Sequence, residues 1–315
     1  MGAPSSQVIL TMLLSAAIRS GTILLYPTIG EIFTERAGIM NVGIEGMMLI
    51  GAFFGFIVAY LTRNPYLGFF AGMLAGGLSS LIHAFISITL QGNQVVSGLA
   101  LTIFGGGITN FYGQHFVNYH LSTSLKYIAI PWLSKIPVIG KVFFNQDIIV
   151  YLSYIIAILM WFILYKTKVG IHLRAVGDDA QAADAMGVNV YATRYFWTFF
   201  GGLLAGAGGA YLTIGYAPFW LDAMTAGRGW IAVALVIFAM WDPLNAIFGA
   251  YLFGSLDALQ FQLQAAGTTI PASLLTMQPY LLTFIVIVLA TVIVRLKHIG
   301  VPRELGLPFS REEKS

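Results

Sequence analysis

Polar and apolar positions fall into long blocks along this chain. Apolar runs cover residues 7–33, 40–61, 66–90, 95–111, 147–165, 195–214, 230–241, 244–262 and 280–294. Most approach the roughly 20 residues that carry a helix across a bilayer. The pattern predicts an all-α polytopic membrane protein with about nine transmembrane helices in a single transmembrane domain over residues 1–315. Three polar stretches stand apart from it: a mixed aromatic loop over 112–146, an island over 169–190, and a tail over 295–315.

The island, VGIHLRAVGDDAQAADAMGVNV, is too polar and too short to cross a membrane. Asp178 is expected to cap a short helix over 179–186, with Gln181 at its third position, and Gly187 suits the left-handed residue that ends one. Ala182, Ala183 and Met186 share a face at helical spacing, a small apolar knob suited to a groove on another protein. A plain connector between two spans fits the same local physics.

Other interruptions hold candidate chemistry. ERAGIMNVGIEGMML places Glu35, Arg36, Asn41 and Glu45 among Gly38, Gly43 and Gly46 between two apolar runs. Charges at membrane depth persist where partners or water receive them, and glycine-broken helix ends are one way of building a transport site. A tight interfacial turn with Glu45 one turn inside fits equally. Asn93 and Gln94 offer uncharged hydrogen bonds between two spans, while Trp220, Asp222 and Arg228 lie in an aromatic break at 215–229. That break reads first as an interfacial belt and otherwise as a surface for a planar or sugar-like solute. Together Asn41, Glu45, Asn93, Gln94, Trp220 and Asp222 form the candidate substrate path. Asp257, inside an apolar run, needs a polar partner, and Arg19 either snorkels or faces a cavity. His83 reads as a satisfied buried side chain. FFAGMLAGGLSSLI at 69–82 and FFGGLLAGAGGAYL at 199–212 look alike, which fits an internal repeat and, more readily, the chance resemblance of Gly/Ala-rich membrane helices.

Composition agrees with the blocks. Hydrophobic residues make up 58% of the 315 and charged ones 9%, and the mean hydropathy is +0.82, values of a membrane protein. The net charge of +3 is too small to suggest nucleic-acid binding. No cysteine is present, which removes thiolate metal ligands and disulfides. No basic stretch precedes the first apolar run, so no cleaved signal peptide is expected. Alternating over nine spans with the tail inside puts Arg36, Lys166, Lys168, Arg174, Arg194 and the basic residues from Arg295 onward in the cytoplasm. Arg63, Lys126, Lys135, Lys141 and Arg228 then fall outside, an excess that favours this orientation.

The sequence has no GxxxxGK[ST], so no phosphate-cradling loop. It also lacks HExxH, GxSxG and paired-carboxylate arrangements, leaving little case for an intramembrane enzyme.

Four segments carry a resemblance: ERAGIMNVGIEGMMLIGA at 35–52, GxxLRAVGDDAQAADAMGV at 170–188, GRGWIAVALVIFAMWDP at 227–243 and GVPRELGLPF at 300–309. As a set they resemble permeases of bacterial ABC importers, nearest the nucleoside and simple-sugar group and akin to ribose and branched-chain amino-acid permeases. The resemblance implies a multi-pass inner-membrane translocation subunit that is not an enzyme and binds no cofactor itself. ATP and Mg would sit on a partner cytoplasmic ABC ATPase. It also implies a second permease, similar rather than identical, an extracytoplasmic solute-binding protein or lipoprotein, and surrounding membrane lipid, with no nucleic acid. By the same resemblance Arg174, Gly177, Asp178, Ala182, Ala183, Met186 and Gly187 belong to the segment that docks on the ATPase. Nucleosides lead as solutes, with pentose-like sugars and riboflavin-like vitamins behind. A secondary transporter using Arg19, Glu45 and Asp257 for an ion is the competing class.

Overall fold

A computed structural model describes residues 6–297 and 301–311. Its long helices are α1 (Ser6–Arg36), α2 (Ile44–Thr62), α3 (Pro65–Ala84), α4 (Gln94–Gly113), α6 (Ile148–Lys166), α9 (Val190–Tyr211), α11 (Pro243–Ala265) and α12 (Ala272–Lys297). Shorter ones are α5 (Ile139–Phe143), α7 (Lys168–Asp178), α8 (Ala180–Ala185) and α10 (Arg228–Phe238). Both α3 and α9 end in a π-helical turn, Phe85–Thr89 and Leu212–Tyr216. Among the described residues six segments are long and apolar enough to cross a membrane: Leu10–Arg36, Ile44–Thr62, Pro65–Thr89, Gln94–Phe116, Ile148–Lys166 and Val190–Tyr216. The other apolar runs of the sequence fall on α10, of only 11 residues, on the apolar segment Ala272–Val286, and on α11, which is long but carries Asn245, Asp257, Gln260, Gln262 and Gln264.

Packing follows glycine. In α2, α3 and α9, Gly51, Gly72, Gly76 and Gly206 meet backbone to backbone. A methyl on Gly206 would lie 2.4 Å from the Gly72 carbonyl oxygen, and one on Gly72 2.3 Å from that of Gly51. Small residues allow this approach, and dispersion between the backbones holds it. The two look-alike segments of the sequence therefore cross one another through their own glycines. This centre is where burial is deepest: 78% of the apolar window of α9 and 72% of that of α2 lie inside the protein, against 28% for α4 and 33% for α6. The outer helices show Ile103, Phe104 and Phe111, and Ile155, Ile158 and Phe162, to the surroundings. Predominantly apolar surface of this kind suits lipid, not water.

The bundle has two distinct ends. At one, the mixed loop forms a two-stranded antiparallel hairpin, β1 (Tyr127–Ala129) on β2 (Asn145–Asp147). Arg19 of α1 reaches it, donating to the Tyr127 hydroxyl with its guanidinium over the same ring. At the opposite end gather the α1–α2 turn, the α3–α4 turn, α7, α8 and residues 301–311.

The 35–49 stretch is a turn packed inside the protein. Continuation of α1 to Arg36 is followed by Gly38 at φ +87°, a left-handed position that favours glycine, and α2 begins at Ile44. Glu35 accepts from the Trp241 indole at 2.5 Å. Glu31, one turn earlier on α1, accepts from the Asn41 amide at 3.0 Å through one oxygen, while its other oxygen is buried without a partner among the described residues. His83 is buried and within 3.1 Å of the Ser97 hydroxyl.

Candidate functional site

Two helices and a strap build the island. Thr167 caps α7, accepting from the Gly170 amide at 3.3 Å. Asp179, not Asp178, caps α8: it accepts from the Ala182 amide at 2.8 Å. An N-cap needs extended backbone. Asp179 has it, at φ −156° and ψ 95°, whereas Asp178 is still the last helical residue of α7. Gly187, at φ +87°, ends α8. Its amide donates to Asp184 and that of Val188 to Ala183, the paired bonds of a Schellman closure. Because α7 also turned helical, the island is a helix, a kink at Asp179 and a second helix.

The shared face predicted for Ala182, Ala183 and Met186 divides in two. Ala183 turns inward with Ala180, packing on Val176, Val190 and Phe309. Ala182 and Met186 turn outward beside Gly187, and the Met186 side chain is 85% exposed. Gly177 is needed for close approach, since a methyl there would lie 2.1 Å from the Arg36 carbonyl oxygen at the end of α1. Arg174 lies along α7, donating to the Gly170 carbonyl at 3.3 Å with its guanidinium 5.6 Å from the Tyr165 ring centre.

Residues 301–311 strap this unit to the bundle. The Glu304 amide donates to the Gly177 carbonyl at 2.9 Å and the Gly306 amide to the Gly38 carbonyl at 3.1 Å. Arg194 of α9, 1% exposed, pairs with Glu304 at 3.5 Å and donates to the Leu307 carbonyl at 3.1 Å. Phe309 fills the hollow between α7, α8 and α9, 5.4 Å from the Tyr191 ring. Its carbonyl accepts from Gln91 at 2.8 Å. Arg311 closes the strap on Asp184 of α8 at 2.8 Å. Through α7 and the strap, α8 is thus linked by contacts to α1, α9 and the α3–α4 turn. The sequence reading missed this role of the tail, although the hydrophobic Phe309 set in a polar ending was a signal.

The substrate-path candidates do not converge. Asn41 is buried and holds its own turn, accepting from the Gly43 amide. Gln94 accepts from the Met40 amide at 2.7 Å, and Asn93 caps α4. Trp220 is fully buried against Phe53 and Phe56, and Asp222 is exposed. Glu45 accepts from the Thr225 hydroxyl at 2.6 Å, the Gly227 amide at 2.9 Å and the Gly229 amide at 2.6 Å. A carboxylate on the first amides of α10 satisfies unpaired donors and the helix dipole together, so Glu45 fixes where α10 begins. Asp257 has the partner its position demanded: the Arg228 guanidinium lies 3.2 Å from both of its carboxylate oxygens. Among the described residues no group of three or more His, Asp or Glu is placed to hold a metal ion.

Comparison with known proteins identifies the family. Residues 12–294 match the family described as "Branched-chain amino acid transport system / permease component". The chain is 38% identical to the "Putative glucose ABC transporter permease protein TsgC13" of Haloferax volcanii, over 95% of this chain and 98% of that one. It is 38% identical to the "Nucleoside ABC transporter permease protein NupC" of Lactococcus lactis subsp. cremoris, over 85% and 88%. With the "Guanosine ABC transporter permease protein NupQ" of Bacillus subtilis it shares 35% identity over 88% and 91%. No solved structure matches the chain. A helical bundle with a strapped, outward-facing pair of short helices, matched along almost its whole length by ABC transporter permeases, belongs to the family of branched-chain amino-acid-type transport permeases.

Proposed function

We propose that this chain is the translocation subunit of an ATP-driven importer, moving a nucleoside or related small hydroxylated solute into the cell while a separate ABC ATPase supplies the work. The observation that carries the reading is the α7–α8 unit: at its tip Ala182 and Met186 face outward beside Gly187 among exposed polar residues, and its inner face is bolted to several transmembrane helices. A force applied at Ala182, Met186 and Gly187 reaches the bundle through packed contacts and not through a slack loop. Closure of the motor subunits would bias the bundle between outward-open and inward-open arrangements.

The end carrying α7, α8 and the tail faces the cytoplasm in this reading, and the β-hairpin end faces out. The chain crosses nine times, with α10 as a short crossing joined to the outer side by the 217–227 segment. The alternation of helix ends between the two faces of the bundle supports this, as does the distribution of basic residues. A second permease, similar rather than identical, completes the pathway, and an extracytoplasmic binding protein or lipoprotein delivers solute. The solute class rests on the names of the relatives. ATP and Mg belong to the motor, and this chain performs translocation and no catalysis.

Reconstitution tests the proposal. Vesicles containing the chain, its partner permease and the co-expressed ATPase should accumulate tritiated guanosine or labelled glucose only with ATP and the binding protein. Concentrative uptake by the purified chain alone, on an ion gradient, would refute it.

A further inference from the structure

Away from the strapped end, α1, α10, α11 and α12 enclose a cavity of about 380 Å³. One wall is the ion pair Arg228–Asp257, whose side chains are 14% and 15% exposed and line the opening. The pair is closed on itself. Asp257 also accepts from the Ser20 hydroxyl at 2.6 Å and from Tyr216 at 3.3 Å, and Arg228 spends its other terminal nitrogen on the Met224 and Thr225 carbonyls at 3.3 Å. The remaining walls are largely apolar and aromatic, from Leu24, Ile231, Phe253, Phe261 and Tyr280.

Three polar side chains break that pattern, Gln260, Gln264 one turn further on α11, and Thr276 of α12, and of the two glutamines only Gln260 is buried. Gln260 follows Asp257 by three residues on α11, so both look the same way. It lines the cavity, is 5% exposed, and makes no hydrogen bond among the described residues. Its amide atoms are not among the fully enclosed unpaired ones, so they face the space of the cavity, where a bound molecule or water supplies their partners. The amide offers two donors and one acceptor into a space of the size that small-molecule sites occupy, beside aromatic side chains and a fixed dipole.

We propose that this cavity holds the solute in transit, with Gln260 as its free hydrogen-bonding contact, and that the solute it accepts is uncharged: a nucleoside or sugar, not an amino acid. Neutrality follows from the ion pair. The Arg228 and Asp257 charges are committed to each other, so an entering ion, or the separate ammonium and carboxylate of a zwitterionic amino acid, would be desolvated without an unspent counter-charge. A hydroxylated or base-bearing solute needs only dipoles and an apolar face, which the site has. This inference rests on the permease reading above.

The test uses the complete importer reconstituted with its ATPase and binding protein. Labelled guanosine, glucose and leucine are offered to the native complex and to complexes carrying Gln260→Leu or Phe248→Ala, a lipid-facing control on the same helix that is 74% exposed. Expected are ATP-dependent uptake of guanosine or glucose but not leucine, and a rise in transport KM of about tenfold with Gln260→Leu, the worth of one hydrogen bond. The control should keep the native KM. A photoreactive analogue of the carried solute, 8-azidoguanosine or a diazirine glucose, should label the 253–264 peptide of the native complex, which decides the matter if Gln260→Leu fails to assemble. ATP-driven uptake of leucine, an unchanged KM in assembled Gln260→Leu, or label elsewhere overturns the cavity while leaving the permease reading intact. Absence of ATP-dependent uptake of any of the three by the native complex overturns both.

Discussion

Replacing Phe309 with alanine removes the central plug of the strap. The side chain is 5% exposed and lies among Val176, Ala180, Ala183 and Val190, with the Arg194 guanidinium 5.8 Å from its ring centre. Phe→Ala in a core costs about 3–5 kcal/mol. The lower end applies, because a surface strap can lift away instead of leaving an empty cavity, and about 3 kcal/mol is roughly 10² in the docking equilibrium. What remains, the Glu304 and Gly306 amide bonds and the Arg194–Glu304 pair, then holds a segment that opens about a hundred times more often. Hydrogen exchange read by mass spectrometry on the complex in nanodiscs should show residues 301–311 exchanging faster by that factor, with a smaller gain in α7 and α8. Uptake per ATP hydrolysed should fall in parallel, since α8 loses its inner support. Exchange within threefold of native, with coupling unchanged, would refute the strap as a transmitter of force.

Other expectations can be checked separately. Gly187→Trp places a bulky side chain at φ +87° on the outward face, where nothing stands within 4 Å of an added methyl; uptake should vanish while membrane insertion, followed by fractionation, persists, and normal assembly with the ATPase would count against docking there. Asp179→Ala should destabilise α8 by about 1 kcal/mol, visible as faster exchange at Ala182, whereas Asp178→Ala should leave that amide unchanged; the reverse order would contradict the observed cap. Glu45→Ala strands the Thr225 hydroxyl and the Gly227 and Gly229 amides, and since hydrogen bonds to a charged group contribute about 1.5–3 kcal/mol each, the Tm of the purified protein should fall by several degrees. An unaltered Tm would mean the start of α10 is held some other way.

The helices were legible because membrane spans announce themselves by uninterrupted apolarity, and because Gly187 and the Asp-rich start of α8 carry strong local signals. What escaped depended on contacts distant in sequence. Whether Asp178 or Asp179 caps α8 turns on where α7 ends, and α7 is helical partly because Gly177 and Val176 pack on the end of α1 and on the tail. Ala183 and Ala182 are indistinguishable in the sequence; Phe309, more than a hundred residues later, decides which one is buried. Glu45 drew attention as a charge at membrane depth that needs partners, and the structure supplies the Thr225 hydroxyl and the first amides of α10, which no local pattern could have named. Asp257 posed the same question, and its answer, Arg228, lay in a break that read first as an aromatic belt. Periodicity specifies elements, while the pairing of isolated polar residues across a bundle is set by tertiary geometry.

The native chain has no cysteine, so Met186→Cys, at a side chain 85% exposed on the outer face of α8, creates a single reactive thiol for asking what that face touches. In membranes containing the co-expressed ATPase, a short bifunctional reagent should join this thiol to the motor subunit, with a yield that changes on adding ATP. Labelling by a membrane-impermeant maleimide from outside intact cells, or cross-linking of the motor to the hairpin loop at 112–146 in place of α8, would contradict the account.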